Sequence, residues 1–177
     1  MTLVKPNNTI ACFDVGYAED RAIAACVTIC DWRDSAPEGE YSLEIQKPNE
    51  YIPGEFFRRE LPCLQQILAT LPREPNIMVI DGFVDLDENG RKGLGAHLFD
   101  ALDRRIPIIG VAKSGFRTAS HAIPILRGKS KNPLYITAAG LSRDQAAESI
   151  LQMHGTHRNP AILKRVDQLS RGAVPVQ

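Results

Sequence analysis

Two short apolar runs place the tightest limit on the fold. "NIMVID" (76–81) and "IPIIGVAKS" (106–114) each climb through consecutive apolar residues and then stop on a charge, Asp81 and Lys113. A run this short, with no polar residue on alternate positions, predicts a strand buried on both faces rather than a helix. Between them lies "RKGLGAHLFDALDRR" (91–105), which reads as an amphipathic helix. Such strand–helix–strand units need helices packed on a sheet.

The rest of the chain fits around that unit. "TIACFDVGY" (9–17) and "RAIAACVTICDW" (21–32) read as a hairpin closed at Glu19-Asp20, and "YSLEIQ" (41–46) alternates like an edge strand. "RDSAPEGE" is a loop. "LPCLQQILATLP" (61–72) has apolar residues at 61, 64, 67, 68 and 71, which is helical spacing, with Pro62 expected in the first turn. "PLYITA" (133–138) is a strand. Ser142 caps a helix ending at Gly155, and Asn159-Pro160 opens another ending at Gly172. The order β-β-β-α-β-α-β-β-α-α predicts an α/β fold, a mixed β-sheet flanked by helices, in a single domain over 1–177.

Composition narrows the class. Apolar residues are 44% and charged residues 24%, as in ordinary globular proteins. No run approaches the ~18 apolar residues of a membrane span. The opening residues lack a signal-peptide core, so a cytoplasmic protein with no membrane partner is the expectation. Twenty-one basic side chains balance 21 acidic ones, which argues against a nonspecific polyanion binder. From Arg104 to Lys131, however, Arg104, Arg105, Lys113, Arg117, Arg127, Lys129 and Lys131 occur without an acidic residue. That stretch reads as a solvated face or as a phosphate-facing surface. Cys12, Cys26, Cys30 and Cys63 form no C-x-x-C pair, and His154 and His157 lie far along the chain, so buried thiols are expected rather than zinc or disulfides.

The chemistry is carried by strand ends. Asp14 follows "TIACF" and Asp81 follows "NIMVI". In open α/β sheets ligands bind outside the carboxyl ends of strands. If the two strands are neighbours, two like charges emerge together, and a divalent cation between them relieves the repulsion. Carboxylate oxygens without clustered His or Cys suit Mg²⁺ or Mn²⁺. Taken singly, each Asp reads as the start of a turn. Lys113 would stand at the same edge, either as a phosphate contact or as a snorkelling surface lysine. "DLDENG" (85–90) imitates the first half of a calcium loop, but Ala96 stands where the bidentate Glu is needed, so it reads as an acidic turn.

Seven short motifs in order resemble the endonuclease V family: "DVGY" (14–17), "YIPGEFFRRELP" (51–62), "VIDG" (79–82), "GLGAHL" (93–98), "IGVAKS" (109–114), "PLYIT" (133–137) and "HRNPAILKRVDQLSR" (157–171). The resemblance implies a ribonuclease H-like fold and Mg²⁺-dependent hydrolysis of a phosphodiester near inosine, leaving 3′-hydroxyl and 5′-phosphate ends. It implies that Glu60 and Asp167 join Asp14 and Asp81 as metal ligands, with Lys113 facing the scissile phosphate. Tyr51 would be a wedge replacing a displaced base, presented by Pro53 and Gly54. Gly82, Phe83, Gly95, His97 and Ser114 would border the substrate. Arg58 and Arg59 would pair with carboxylates or face the nucleic-acid backbone. The implied partner is single-stranded or distorted DNA or RNA, bound by a monomer. Departures are Gly16, where the family commonly has Ser, Phe83-Val84, where a small residue or His is common, and the absence of a Gly-His-Arg run before the helix at 142. A bulky Phe83 would shrink the base pocket or stack on the base. A non-cleaving nucleic-acid binder and another nuclease of this fold, such as a junction resolvase, remain the alternatives.

Overall fold

The structure, a computed structural model, describes residues 8–115 and 119–176. Strand β1 (Ile10–Ala18) and strand β2 (Arg21–Ile29) form the expected hairpin, with Ala18 opposite Arg21. β1 does not stop at Asp14, as its charge suggested, but runs on to Ala18 because β2 continues to pair with it. Strand β3 (Gly39–Gln46) lies on the sheet edge beside β2. Strand β4 (Ile77–Asp81) pairs in parallel with β1 on one side and with β5 (Ile108–Ala112) on the other, and every residue of β5 is buried. The sheet order is β3-β2-β1-β4-β5-β7-β6. Strand β7 (Leu134–Ala139) runs antiparallel to β5, as does the short β6 (Ile123–Ile125) to β7. β6 is an addition to the expected order. Three residues show no alternation, and Pro124 is tolerated there because β6 is an edge.

Helices α1 (Phe57–Ala69) and α2 (Leu94–Ala101) cover one face, and α3 (Arg143–Gln152) and α4 (Ala161–Ser170) cover the other. The strands alternate between two cores. Phe13, Ile80 and Ile108 pack under α1 and α2, while Cys12, Val79, Ile109 and Val111 pack under α3 and α4. All four cysteines are free thiols, and Cys12, Cys26 and Cys63 are buried.

Several helix ends differ from the expected ones. α1 begins at Phe57 rather than 61, so Pro62 is its sixth residue and lies beyond the first turn. A proline there leaves the carbonyl four residues back without its helical donor. That carbonyl belongs to Arg58, and the Asn49 side-chain amide donates to it at 3.0 Å. The repair lets the helix extend upstream and carry Arg58, Arg59 and Glu60. α2 is shorter than predicted at both ends, and Asp103 and Arg104 follow it in left-handed backbone conformation. Ser142 forms a full capping box with Gln145, but α3 ends at Gln152, before Gly155. Pro160 precedes the first residue of α4.

Candidate active site

Asp14, Asp81 and Lys113 come from three adjacent parallel strands at their carboxyl edge. The register pairs Phe13 with Ile80 and Asp81 with Val111, so the three positions follow one another across the sheet. Two residues before each stands a side chain of the core under α3 and α4, namely Cys12, Val79 and Val111. All three groups therefore project to that same face. α4 crosses there, and Asp167, Leu163 and Val166 close a small pocket with Asp14, Asp81, Lys113 and Asn159.

The electrostatics follow from crowding. Lys113 Nζ donates to Asp81 Oδ2 at 3.0 Å. Burial pulls the Lys113 ammonium down, but Asp81, Asp167 and Asp14 outweigh it, so its pKa is raised and it stays cationic. Burial pushes the Asp14 carboxyl above its ordinary value; the Ser170 hydroxyl pulls it back and the Asp81 charge adds to the rise. Ser170 Oγ lies 2.8 Å from both Asp14 Oδ2 and the Asp167 carbonyl. α4 approaches this closely because Gly16 has no side chain: a Cβ there would stand 2.1 Å from the Ser170 carbonyl oxygen.

Glu60 arrives from the opposite face, on α1. It is buried, and no hydrogen bond reaches its carboxylate among the described residues. Burial first, then the Asp14 and Asp81 charges, push its pKa up to about 9, while Arg59 opposes the rise. Arg59 itself lies over the Tyr17 ring, 3.9 Å from the centroid. Among the described residues, no three His, Cys, Asp or Glu side chains are grouped closely enough to hold a metal ion as they stand. The donor chemistry nonetheless suits one. The Asp14 and Asp81 charges bear on Glu60, of these three only Asp81 is paired with an ammonium among the described residues, and hard oxygen donors of this kind match Mg²⁺.

The other expected site residues are placed as follows. Ile52-Pro53-Gly54-Glu55 is a turn closed by Glu55 N–H donating to the Ile52 carbonyl at 2.9 Å, with Gly54 at φ +80°. Proline second and a left-handed glycine third are the requirements of a type II turn. Tyr51 beside it is 56% exposed, and its ring meets Phe56 edge-on at 6.4 Å. Arg58 pairs with Glu55 at 2.7 Å. His97 does not stand alone: it stacks on Phe57 at 3.6 Å, and burial followed by Lys92 holds its pKa below the ordinary value. Gly82 follows Asp81 with φ +126°, and Phe83 is half-buried behind it. Gly95 is buried, and it packs where a Cβ would meet Val84 at 2.7 Å. Ser114 is exposed next to Lys113.

The basic stretch is neither one solvated face nor one phosphate-facing surface. Arg104 and Arg105 precede β5 and pair with Asp100 and Glu74, whereas Lys113 follows β5 at its other end. Arg127 is 6% exposed and bonds to main-chain carbonyls. Arg117 lies outside the described residues. The acidic turn is also occupied by itself: Asp87 Oδ1 accepts from the Asn89 and Arg91 N–H groups. It rims a separate cleft of about 900 Å³ with Asp85, His121 and Arg143, where the carboxylates disfavour phosphate. Sequence reasoning missed Ser170, although its spacing of three from Asp167 puts the two on neighbouring turns. It also passed over Arg158, for which no local pattern gave a signal.

Comparison with known proteins shows the family and the fold. The profile of the endonuclease V family matches residues 2–168. The endonuclease V of Xanthomonas oryzae pv. oryzae is 30% identical over 190 residues, covering 94% of this chain and 78% of that protein. That of Xanthomonas axonopodis pv. citri is 29% identical, covering 94% and 79%. The crystal structure of endonuclease V from Streptomyces avermitilis superposes with a TM-score of 0.73 at 26% identity, over 93% of this chain and 80% of that one. Ciona intestinalis endonuclease V, solved with a 24mer DNA containing an inosine followed by a ribo-adenosine, shares the fold at a TM-score of 0.75 and 21% identity, over 93% and 84%.

Proposed function

We propose that this chain, which belongs to the endonuclease V family and is a nuclease, is a Mg²⁺-dependent endonuclease that hydrolyses a phosphodiester of DNA or RNA near an inosine. The observation that carries this reading is the convergence of Asp14, Asp81, Lys113 and Asp167 on one pocket, with Glu60 coupled to it from the other face. Asp14, Glu60, Asp81 and Asp167 would hold Mg²⁺, with Mn²⁺ as a substitute. When bound, the ion would make a water acidic enough to attack and would neutralise charge on the leaving 3′ oxygen. Cleavage of that bond gives 3′-hydroxyl and 5′-phosphate ends.

This chain's own side chains do the positioning. Lys113 stays protonated and gives a fixed positive charge at the scissile phosphate. Its pairing with Asp81 holds that carboxylate in place beside it. Tyr51 projects from the rigid Pro53-Gly54 turn, suited to stacking where a base has left the helix. Phe83 follows Gly82, where it would narrow the pocket for the displaced base or stack on it. Gly82, Gly95, His97 and Ser114 border that path, Gly95 by letting α2 sit close. The inosine assignment is supported by the DNA bound in the Ciona relative. One nuclease domain acting as a monomer suffices for this chemistry.

The test is cleavage with Mg²⁺ of four end-labelled single strands, DNA and RNA, each with and without one inosine, with Asp14→Asn as the contamination control. Cutting beside inosine by the wild type alone is the expected result. Cutting without inosine preference would remove the base assignment and leave the metal centre. Absence of cutting with Mg²⁺ or Mn²⁺ would overturn the reading.

A further inference from the structure

Lys113 lies just past the end of a strand, and something must hold it there. The last rung of the β5–β7 ladder is Ala112 opposite Tyr135. Beyond it the Lys113 carbonyl has no strand partner. Arg158 supplies one: its Nη2 donates to the Lys113 carbonyl and, at 2.9 Å, to the Pro133 carbonyl. One guanidinium thus ties the outgoing end of β5 to the incoming end of β7, as an added rung made by a side chain.

Arg158 sits between α3 and α4, in a segment without regular structure whose carbonyls need donors. Arg127 provides them. Its Nη2 donates to the Met153 carbonyl at 2.5 Å and the Gly155 carbonyl at 3.2 Å, and its Nη1 to those of His157 at 2.8 Å and Arg158 at 3.3 Å. It is buried, and no carboxylate pairs with it among the described residues. A buried guanidinium neutralised only by carbonyl dipoles is costly unless the geometry it enforces is needed. What that geometry presents is Arg158.

We propose that Arg158 is a positioning residue for Lys113, and that Arg127 builds the loop from which Arg158 reaches it. The inference rests on the reading of Lys113 as the cation at the scissile phosphate. Arg158 then acts on the rate through the Lys113 main chain, and substrate affinity is set elsewhere. A displacement of about 1 Å at such a site costs on the order of 100-fold in rate.

A double-mutant cycle tests this. Single-turnover cleavage of the inosine strand and its dissociation constant are measured for the wild type, Arg158→Ala, Lys113→Ala and the double variant. Arg158→Ala is expected to slow cleavage by about 10- to 100-fold with little change in affinity. In the Lys113→Ala background the same change is expected to have almost no effect, because the group it positions is gone. Should Arg158→Ala fail to fold, Arg158→Lys is used in the same cycle; it keeps the charge but gathers its donors on one nitrogen without the planar fork, and an intermediate rate is expected. Multiplying losses in the double variant, a wild-type rate for the Arg158 variant, or a loss confined to affinity would each overturn the proposal while leaving Lys113 in its role. A wild-type rate for Lys113→Ala would overturn that role itself, and the proposal with it.

Discussion

Tyr51, proposed above as the stacking ring, is a single side chain set by local geometry. A tyrosine 56% exposed contributes little to folding, since most of its ring stays in water. The residues after it are nevertheless held tightly, by a proline and a left-handed glycine closing one turn. A fixed ring would lose little freedom on stacking, so under the proposed role the stiffness would favour binding. Replacing Tyr51 with Ala is expected to weaken binding of an inosine strand by about 1–3 kcal/mol, with the melting temperature unchanged within about 1–2 °C. Fluorescence anisotropy and a thermal melt measure the two effects. Unchanged affinity would mean that this ring does not take the place of a base.

At the scale of elements, α4 meets the middle of β1 and the ends of β4 and β5, with α1 bringing Glu60 from the other face, and the weakest tolerance is the contact of α4 with β1. Gly16 allows that contact. In the family the chain resembles, Ser is common at this position; here a hydroxyl reaches Asp14 from the other side, from Ser170 on α4. A Cβ at residue 16 meets the Ser170 carbonyl oxygen at 2.1 Å and its carbon at 2.8 Å, and both are main-chain atoms that cannot turn aside. Gly16→Ala is therefore expected to push α4 outward. Overpacking of this kind costs about 1–3 kcal/mol, a fall of roughly 2–12 °C in melting temperature for a chain of this size. Cleavage should fall further than stability predicts, because Asp167 and the Ser170–Asp14 bond move with the helix. Ser170→Ala isolates the hydrogen bond and should slow cleavage with a smaller thermal loss. Equal rates and melts for wild type and Gly16→Ala would show that α4 docking does not set the site.

The same elements explain what could be read in advance. Asp14, Asp81 and Lys113 were legible because each is the first charge after an apolar run, and burial forces such runs into neighbouring strands. Glu60 and Asp167 came only through the family resemblance, since each is one acidic residue on an amphipathic helix among several. The start of α1 was misplaced because Pro62 signals a first turn, and the Asn49 contact that lets the helix continue upstream lies 13 residues away in sequence. Arg127 and Arg158 were unreadable for a simpler reason: their partners are carbonyls, which every residue carries.

For the whole molecule, the carboxylates proposed to hold the metal are also a stability term. Folding places Glu60 where burial and the Asp14 and Asp81 charges raise its pKa from 4.5 to about 9. The folded chain then holds a proton that the unfolded chain has released across that interval. Stability must fall as pH rises from the lower value to the higher, and level off above it. The raised Asp14 acts in the same direction, starting from its own value of 3.8. The raised Lys113 pKa starts from 10.5, so it stays charged in both states throughout the window. A divalent ion reverses the sign of the effect, because binding requires the ionised carboxylate and rewards folding by mass action. Metal-free protein is thus expected to melt at a lower temperature near the top of the window than near its bottom. Mg²⁺ should raise the melting temperature more at the higher pH. Glu60→Gln cannot ionise, so it should flatten the metal-free slope and reduce the Mg²⁺ gain together. Thermal melts in chelator and in Mg²⁺ at the two ends of the window, for both proteins, measure all of these. Equal Mg²⁺ gains at both pH values, unaltered by Glu60→Gln, would separate Glu60 from the metal site and leave Asp14, Asp81 and Asp167 to hold the ion without it.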